Sequence, residues 1–90
     1  MRSGVSYSIR IRGSARREIA QLPRDARERV IAAIDALGEQ PLAGSPLKGG
    51  LRGLRRQRVG DYRILYELLD DELVILVVRV AHRRESYRRR

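Results

Sequence analysis

The sequence predicts an α+β domain of order β-α-α-β-β-β, with a helical hairpin packed on one face of a mainly antiparallel four-stranded sheet. Three observations predict it. Val5, Tyr7, Ile9 and Ile11 alternate with Ser6, Ser8, Arg10 and Arg12, the period of a half-buried strand. Two stretches with apolar residues at helical spacing follow, one on each side of Pro23. Three apolar-rich runs with short turn signals between them make up the second half. Helices segregated from a run of strands in this way settle on one side of an antiparallel sheet.

Each element has its own signal. Gly13-Ser14 ends the first strand, and Ser14 is expected to cap the helix that carries Ala15, Ile19 and Leu22. Pro23, with φ already helical and no amide to lose, suits the first turn of a second helix. That helix has a stripe of Ala26, Val30, Ala33, Ile34 and Leu37, and Gly38 is its expected stop. The glycines and prolines of "GEQPLAGSPLKGG", residues 38–50, read as a loop. Strands are expected over Leu54–Val59, Tyr62–Leu69 and 73–81, separated by "GD" and "DDE". The tail "HRRESYRRR" is polar and is expected to form a short helix or to fray. With 90 residues and no linker, repeat or long low-complexity tract, residues 1–90 form a single domain.

Composition narrows the partners. The formal net charge is +9, from 20 Lys and Arg against 11 Asp and Glu, and Lys48 is the one lysine. Such an excess fits a polyanionic partner, whether nucleic acid, an anionic membrane or an acidic protein. There are no cysteines, so disulfides and thiolate metal sites are excluded, which fits a reducing cytoplasm. The opening "MRSGVSYSIRIR" has no apolar signal-peptide core. The longest apolar run, residues 73–78, is far shorter than the ~18 residues of a membrane span. A soluble cytoplasmic protein without a membrane partner is therefore expected.

The arginines of "LRRQRVGDYRILY" set the central question. If Gly60-Asp61 forms a two-residue turn, Val59 pairs with Tyr62 and Arg58 lies opposite Arg63. Alternation then sends Arg56, Arg58 and Arg63 to one face, and Val59, Tyr62, Ile64, Tyr66 and Leu68 to the core face. A three-residue "DDE" loop pairs Leu69 with Leu73 and sets Arg79 opposite Arg63. It also adds Val74, Leu76, Val78 and Val80 to the core and leaves Leu65, Ile75 and Val77 beside the arginines. A two-residue loop buries Arg79 and is disfavoured for that reason. Arg83 continues the basic face if the strand runs that far. Like charges opposite one another in a sheet are destabilising. The cluster therefore reads either as a preformed anion site or as an ordinary solvated face. Segregation favours the site, because residues 54–63 hold one acid, Asp61, while Glu18, Asp25, Glu28, Asp35 and Glu39 offset the basic residues of the helical half.

Other chemistry is thinly represented. A single histidine, His82, excludes Cys-His catalysis and multi-His metal sites. Asp70-Asp71-Glu72 read as turn residues rather than metal ligands, and no glycine-rich segment has nucleotide-binding spacing. No metal and no cofactor are expected. Tyr7, Tyr62 and Tyr66 fall at core parity, which leaves Tyr87 to stack on a base or to pack over the sheet edge.

The segments "YSIRIRGSARREIAQLP", "PLKGGLRGLRRQRVGDYRILYEL" and "VILVVRVAHRRESYRR", with the "RVGDYRILY" hairpin and a "V-x-H-R-x-x-x-Y" ending, resemble the RelE toxins of the RelE/ParE superfamily. These are the toxin halves of bacterial type II toxin–antitoxin pairs. The resemblance covers nearly the whole chain and implies the same β-α-α-β-β-β fold. It implies an endoribonuclease that enters the ribosomal A site and cuts mRNA by attack of a 2′-hydroxyl on the adjacent phosphate. It assigns the catalytic set to Arg56, Arg58, Arg63, Arg83 and Tyr87; Lys48, Arg52, Arg55, Arg79 and Arg84 are expected as further RNA-binding residues. A cognate RelB-like antitoxin, in a toxin–antitoxin hetero-oligomer, and the ribosome with its mRNA are the implied partners. This chain departs from the pattern where relatives carry lysines at the positions of Arg56 and Arg58. Arginine stays charged and cannot act as a base, so Tyr87, His82 or electrostatics alone are left for that step. A ParE-like gyrase poison and a non-catalytic basic nucleic-acid-binding module are the alternatives. ParE-type members generally lack the complete set of basic residues with a tail tyrosine, and that set favours cleavage.

Overall fold

The computed structural model describes residues 6–47 and 53–82. Strand β1 (Ser8–Ile11) leads into helices α1 (Gly13–Ala20) and α2 (Arg24–Leu37). A two-residue strand β2 (Ser45–Pro46) precedes the meander β3 (Leu54–Val59), β4 (Tyr62–Leu69) and β5 (Val74–His82). The sheet order is β1-β5-β4-β3-β2. β1 runs parallel to β5 and the other neighbours are antiparallel. Among the described residues the sheet is thus mixed and has five strands, one more than the pattern implies. The extra strand lies in the expected 38–50 loop, where Ser45 pairs with Arg56 and Pro46 with Arg55. Proline at a sheet edge costs no ladder bond, so composition hides this strand.

Both helices pack on one face of the sheet. Ala15, Ile19, Val30, Ile34 and Leu37 meet Ile64, Tyr66, Ile75, Val77 and Val80, all of them buried. Helix α1 begins one residue before its expected cap: Arg12 takes the N-cap position, makes no side-chain capping bond, and accepts from Arg16 N at 2.9 Å. Pro23 sits just before α2 at the N-cap position. Gly38 ends α2 with right-handed dihedrals, so its glycine is needed for space. A Cβ there would lie 2.9 Å from Tyr7 O, at the point where Tyr7 N donates to Gly38 O and ties the start of β1 to the end of α2.

The β3–β4 hairpin has the expected register, with Val59 opposite Tyr62 and Arg58 opposite Arg63. Gly60 is at φ 60°, and Asp61 is not in the positive region, the arrangement of a turn that requires glycine first. A Gly60→Ala substitution forces a side chain into left-handed backbone and is expected to cost about 1 kcal/mol, read as a lower thermal midpoint.

The β4–β5 connection departs from expectation. Asp70–Glu72 form a 3-10 turn and Leu73 follows in the left-handed region at φ 56°, so Leu69 pairs with Val74 across a four-residue loop. That loop alone would send Arg79 to the helix side. A bulge corrects it: Leu65 pairs with Arg79 but Tyr66 pairs with Val77, leaving Val78 as the extra residue. Ile75 and Val77 are therefore core residues at 0% exposure, not neighbours of the arginines. Leu76 and Val78 are only half-buried.

Tyr7 closes the far corner of the sheet. Its hydroxyl donates to Asp70 Oδ1, and that bond, followed by burial and the carboxylate's charge, holds the phenol above its ordinary value of 10.0. A raised folded value favours the protonated form. The linked stability is therefore complete below pH 10.0 and is lost as pH climbs through the folded value. Tyr7→Phe is expected to lower the thermal midpoint at neutral pH and to flatten its fall above pH 10, checked by melting curves across that range.

Candidate functional site

The face of the sheet opposite the helices carries the arginines. Arg58 and Arg63 form a directly opposed pair at the β3–β4 turn, and Arg56 lies one step further along β3, opposite Leu65. On the other flank Ala81 pairs with Arg63 and Arg79 with Leu65. Arg58 is exposed, whereas Arg56 and Arg63 are half-buried. Burial of the Arg63 Nε atom limits the rotamers open to that side chain. Three cations on two adjacent strands repel one another. Arginines at neighbouring register positions on one face suit the oxygens of a phosphate, to which each guanidinium fork can donate two parallel hydrogen bonds.

Two predicted RNA-binding residues sit elsewhere. Arg55 pairs with Tyr66 and so belongs to the helix side, where its terminal nitrogen donates to Gly44 O at 2.7 Å and to Leu42 O at 3.4 Å. It holds the 40–47 loop and is not part of the outer cluster. Arg79 lies opposite Leu65 rather than Arg63, and its Nε donates to Glu18 Oε2 at 3.2 Å. The carboxylate pairs with this cation and turns it towards α1. Lys48, Arg52, Arg83, Arg84 and Tyr87 lie outside the described residues.

Sequence reasoning missed two arrangements. One is a lock on the loop beside β3: buried Tyr66 donates its hydroxyl to Pro41 O at 2.8 Å and accepts from Gly44 N at 3.0 Å. A Cβ on Gly44 would stand 2.6 Å from Arg56 O, so glycine lets the loop lie flat on the strand that bears Arg56 and Arg58. Core parity signalled the burial of Tyr66 but not the bonds of its hydroxyl. The other is a cleft of about 420 Å³ where the end of α1 overhangs β5, lined by Glu18, Gln21, Leu22, Pro23, Tyr62 and residues 80–82. Tyr62 and His82 meet there edge to face, their centroids 5.2 Å apart. Glu18 is set into it by contacts 61 and 62 residues apart in the chain, which no local pattern reveals.

Comparison with known proteins agrees with this architecture. Residues 9–87 match the family described as ParE toxin of type II toxin-antitoxin system, parDE. Toxin RelG of Mycobacterium tuberculosis is 36% identical over 91 residues, spanning 94% of this chain and 100% of the relative. Toxin RelE of the same organism is 33% identical over 88 residues, spanning 91% of this chain and 87% of the relative. A crystal structure of the toxin–antitoxin complex RelBE2, also from that organism, superposes with a TM-score of 0.82 at 34% identity, covering 88% of this chain and 100% of that one. The fold, the span of these matches and their identity lead to one conclusion: the chain belongs to the RelE/ParE superfamily of type II toxin–antitoxin toxins and stands among its RelE-like members.

Proposed function

We propose that this toxin is a ribosome-dependent endoribonuclease that cleaves mRNA in the A site and so arrests translation in the cytoplasm. The observation that carries the reading is the opposed Arg58–Arg63 pair with Arg56 beside it on the face away from the helices. In the reaction a 2′-hydroxyl oxygen attacks the adjacent phosphorus as the bond to the 5′-oxygen breaks, giving a 2′,3′-cyclic phosphate and a free 5′-hydroxyl. Negative charge grows on the non-bridging oxygens, and Arg63, assisted by Arg58, stabilises it. By the family resemblance, Arg83 neutralises the charge growing on the leaving 5′-oxygen, which takes its proton from solvent, and Tyr87 stacks on the flanking base to keep the 2′-hydroxyl in line. Arg56 contributes charge and not base catalysis, because its guanidinium does not give up a proton at working pH.

The partner we assign is a RelB-like antitoxin that binds the toxin and silences it; the similar solved complex pairs a toxin with its antitoxin. Sequencing the 5′ ends of cellular mRNAs after brief induction tests the reading. Cuts phased to the reading frame are expected, and none when the neighbouring antitoxin gene is co-expressed. The match to a ParE description keeps one rival in view, a gyrase poison. Intact mRNA together with gyrase-dependent DNA breaks would establish that rival instead.

A further inference from the structure

β1 accompanies only the first half of β5. Its last pair is Ile11 with Val77, Arg12 N donates to Val77 O at 2.9 Å, and the chain then enters α1 at Gly13. Beyond the bulge at Val78, β5 has β4 on one side and, among the described residues, no strand on the other. Yet the segment left open is the one that pairs with Tyr62–Leu65, with Ala81 directly opposite Arg63. A strand held from one side, next to a bulge, is a soft mounting for a site that has to be rigid.

Glu18 fills the gap. Its Oε1 accepts from Val80 N at 2.7 Å in a partly buried bond, taking the amide that a longer β1 would have bound. Its Oε2 accepts from Arg79 Nε at 3.2 Å. The ion pair is substantially exposed, with side-chain accessibilities of 46% and 32%, and such pairs contribute little. The backbone bond is the stronger anchor, because a buried edge amide has to find an acceptor.

We propose that Glu18 is a positioning residue for RNA cleavage: by holding Val80 N–H it fixes the end of β5, and through the β4 pairing it fixes Arg63. This rests on the endoribonuclease reading above. Glu18 touches no RNA in this scheme. Its effect is on geometry, and catalysis is sensitive to displacements of about 1 Å.

The test uses the full chain in steady-state cleavage of mRNA on programmed ribosomes, together with amide hydrogen exchange at Val80. Glu18→Ala is expected to lower kcat about 10- to 100-fold, with KM within about threefold and Val80 exchanging faster. Glu18→Gln keeps an oxygen for Val80 N–H but loses the ion pair. It is expected to protect Val80 and to retain at least about a third of the wild-type kcat. A Glu18→Ala kcat within about twofold of wild type overturns the proposal, as does a folded Glu18→Gln that loses as much as Glu18→Ala while Val80 stays protected. If Glu18→Ala does not fold, Glu18→Gln decides alone: a kcat more than about tenfold below wild type while Val80 stays protected overturns the proposal. Failure of the unaltered chain to cut mRNA overturns the functional reading and the positioning role with it, and Val80 exchange still reports whether Glu18 anchors β5.

Discussion

Arg63→Ala is expected to lower kcat for mRNA cleavage on programmed ribosomes by about 10²- to 10³-fold, the usual cost of deleting one preorganised donor at a developing oxyanion. Arg63 opens β4, sits opposite Arg58 across the hairpin and opposite Ala81 on β5, and has its Nε buried. It is held from both sides, and that preorganisation gives a cation its leverage in a transition state. Arg63→Lys restores the charge but not the planar fork, so it recovers only part of the loss. Tyr87→Ala is expected to be impaired too, because the base loses its stacking surface. Undiminished growth arrest from both alanine variants would rule out the site as drawn. The fold itself is spared, since Arg63 lies on the face away from the core, and a melting midpoint close to wild type is part of the expected result.

The largest expected effect on stability is at Tyr66. Its ring is fully buried, and truncation to alanine is expected to cost about 3–5 kcal/mol, a large fraction of the ~5–15 kcal/mol that holds a domain together. Tyr66→Phe isolates the hydroxyl. It strands Pro41 O and Gly44 N beside the core and is expected to cost about 1–3 kcal/mol. In a chain of this size each kcal/mol moves the thermal midpoint by roughly 4–8 °C, so calorimetry separates the two variants. A Tyr66→Phe midpoint equal to wild type would show that the loop finds other partners.

How much of this was legible from the residues depended on the range of the contacts. The β3–β4 hairpin was readable because Gly60-Asp61 fixes the register locally, and the register alone puts Arg56, Arg58 and Arg63 on one face. The helices were readable from the spacing of Val30, Ile34 and Leu37. The bulge was not, because residues 73–78 are apolar throughout and an unbroken apolar run carries no parity. The expected three-residue loop and the observed four-residue loop with a bulge both send Arg79 to the outer face, the first for a reason the structure does not share. The anchoring of Arg55 was not legible, because an arginine at core parity becomes reasonable only once Gly44 O is known to lie beside it. Glu18 was read as offsetting basic residues of the helical half. That holds for Glu28, which pairs with Arg24, but Glu18 reaches across to β5.

The parallel pairing of β1 with β5 bears on the order in which this chain acquires its shape during synthesis. Ser8–Ile11 are made before their sheet partner, Val74–Val77, with both helices and the other strands lying between them in the chain. The meander of β3, β4 and β5 assembles from neighbours in sequence, whereas the first strand must wait through both helices before its slot exists. β1 therefore stays without its sheet partner until β5 has been made, and it docks onto a meander that can form without it.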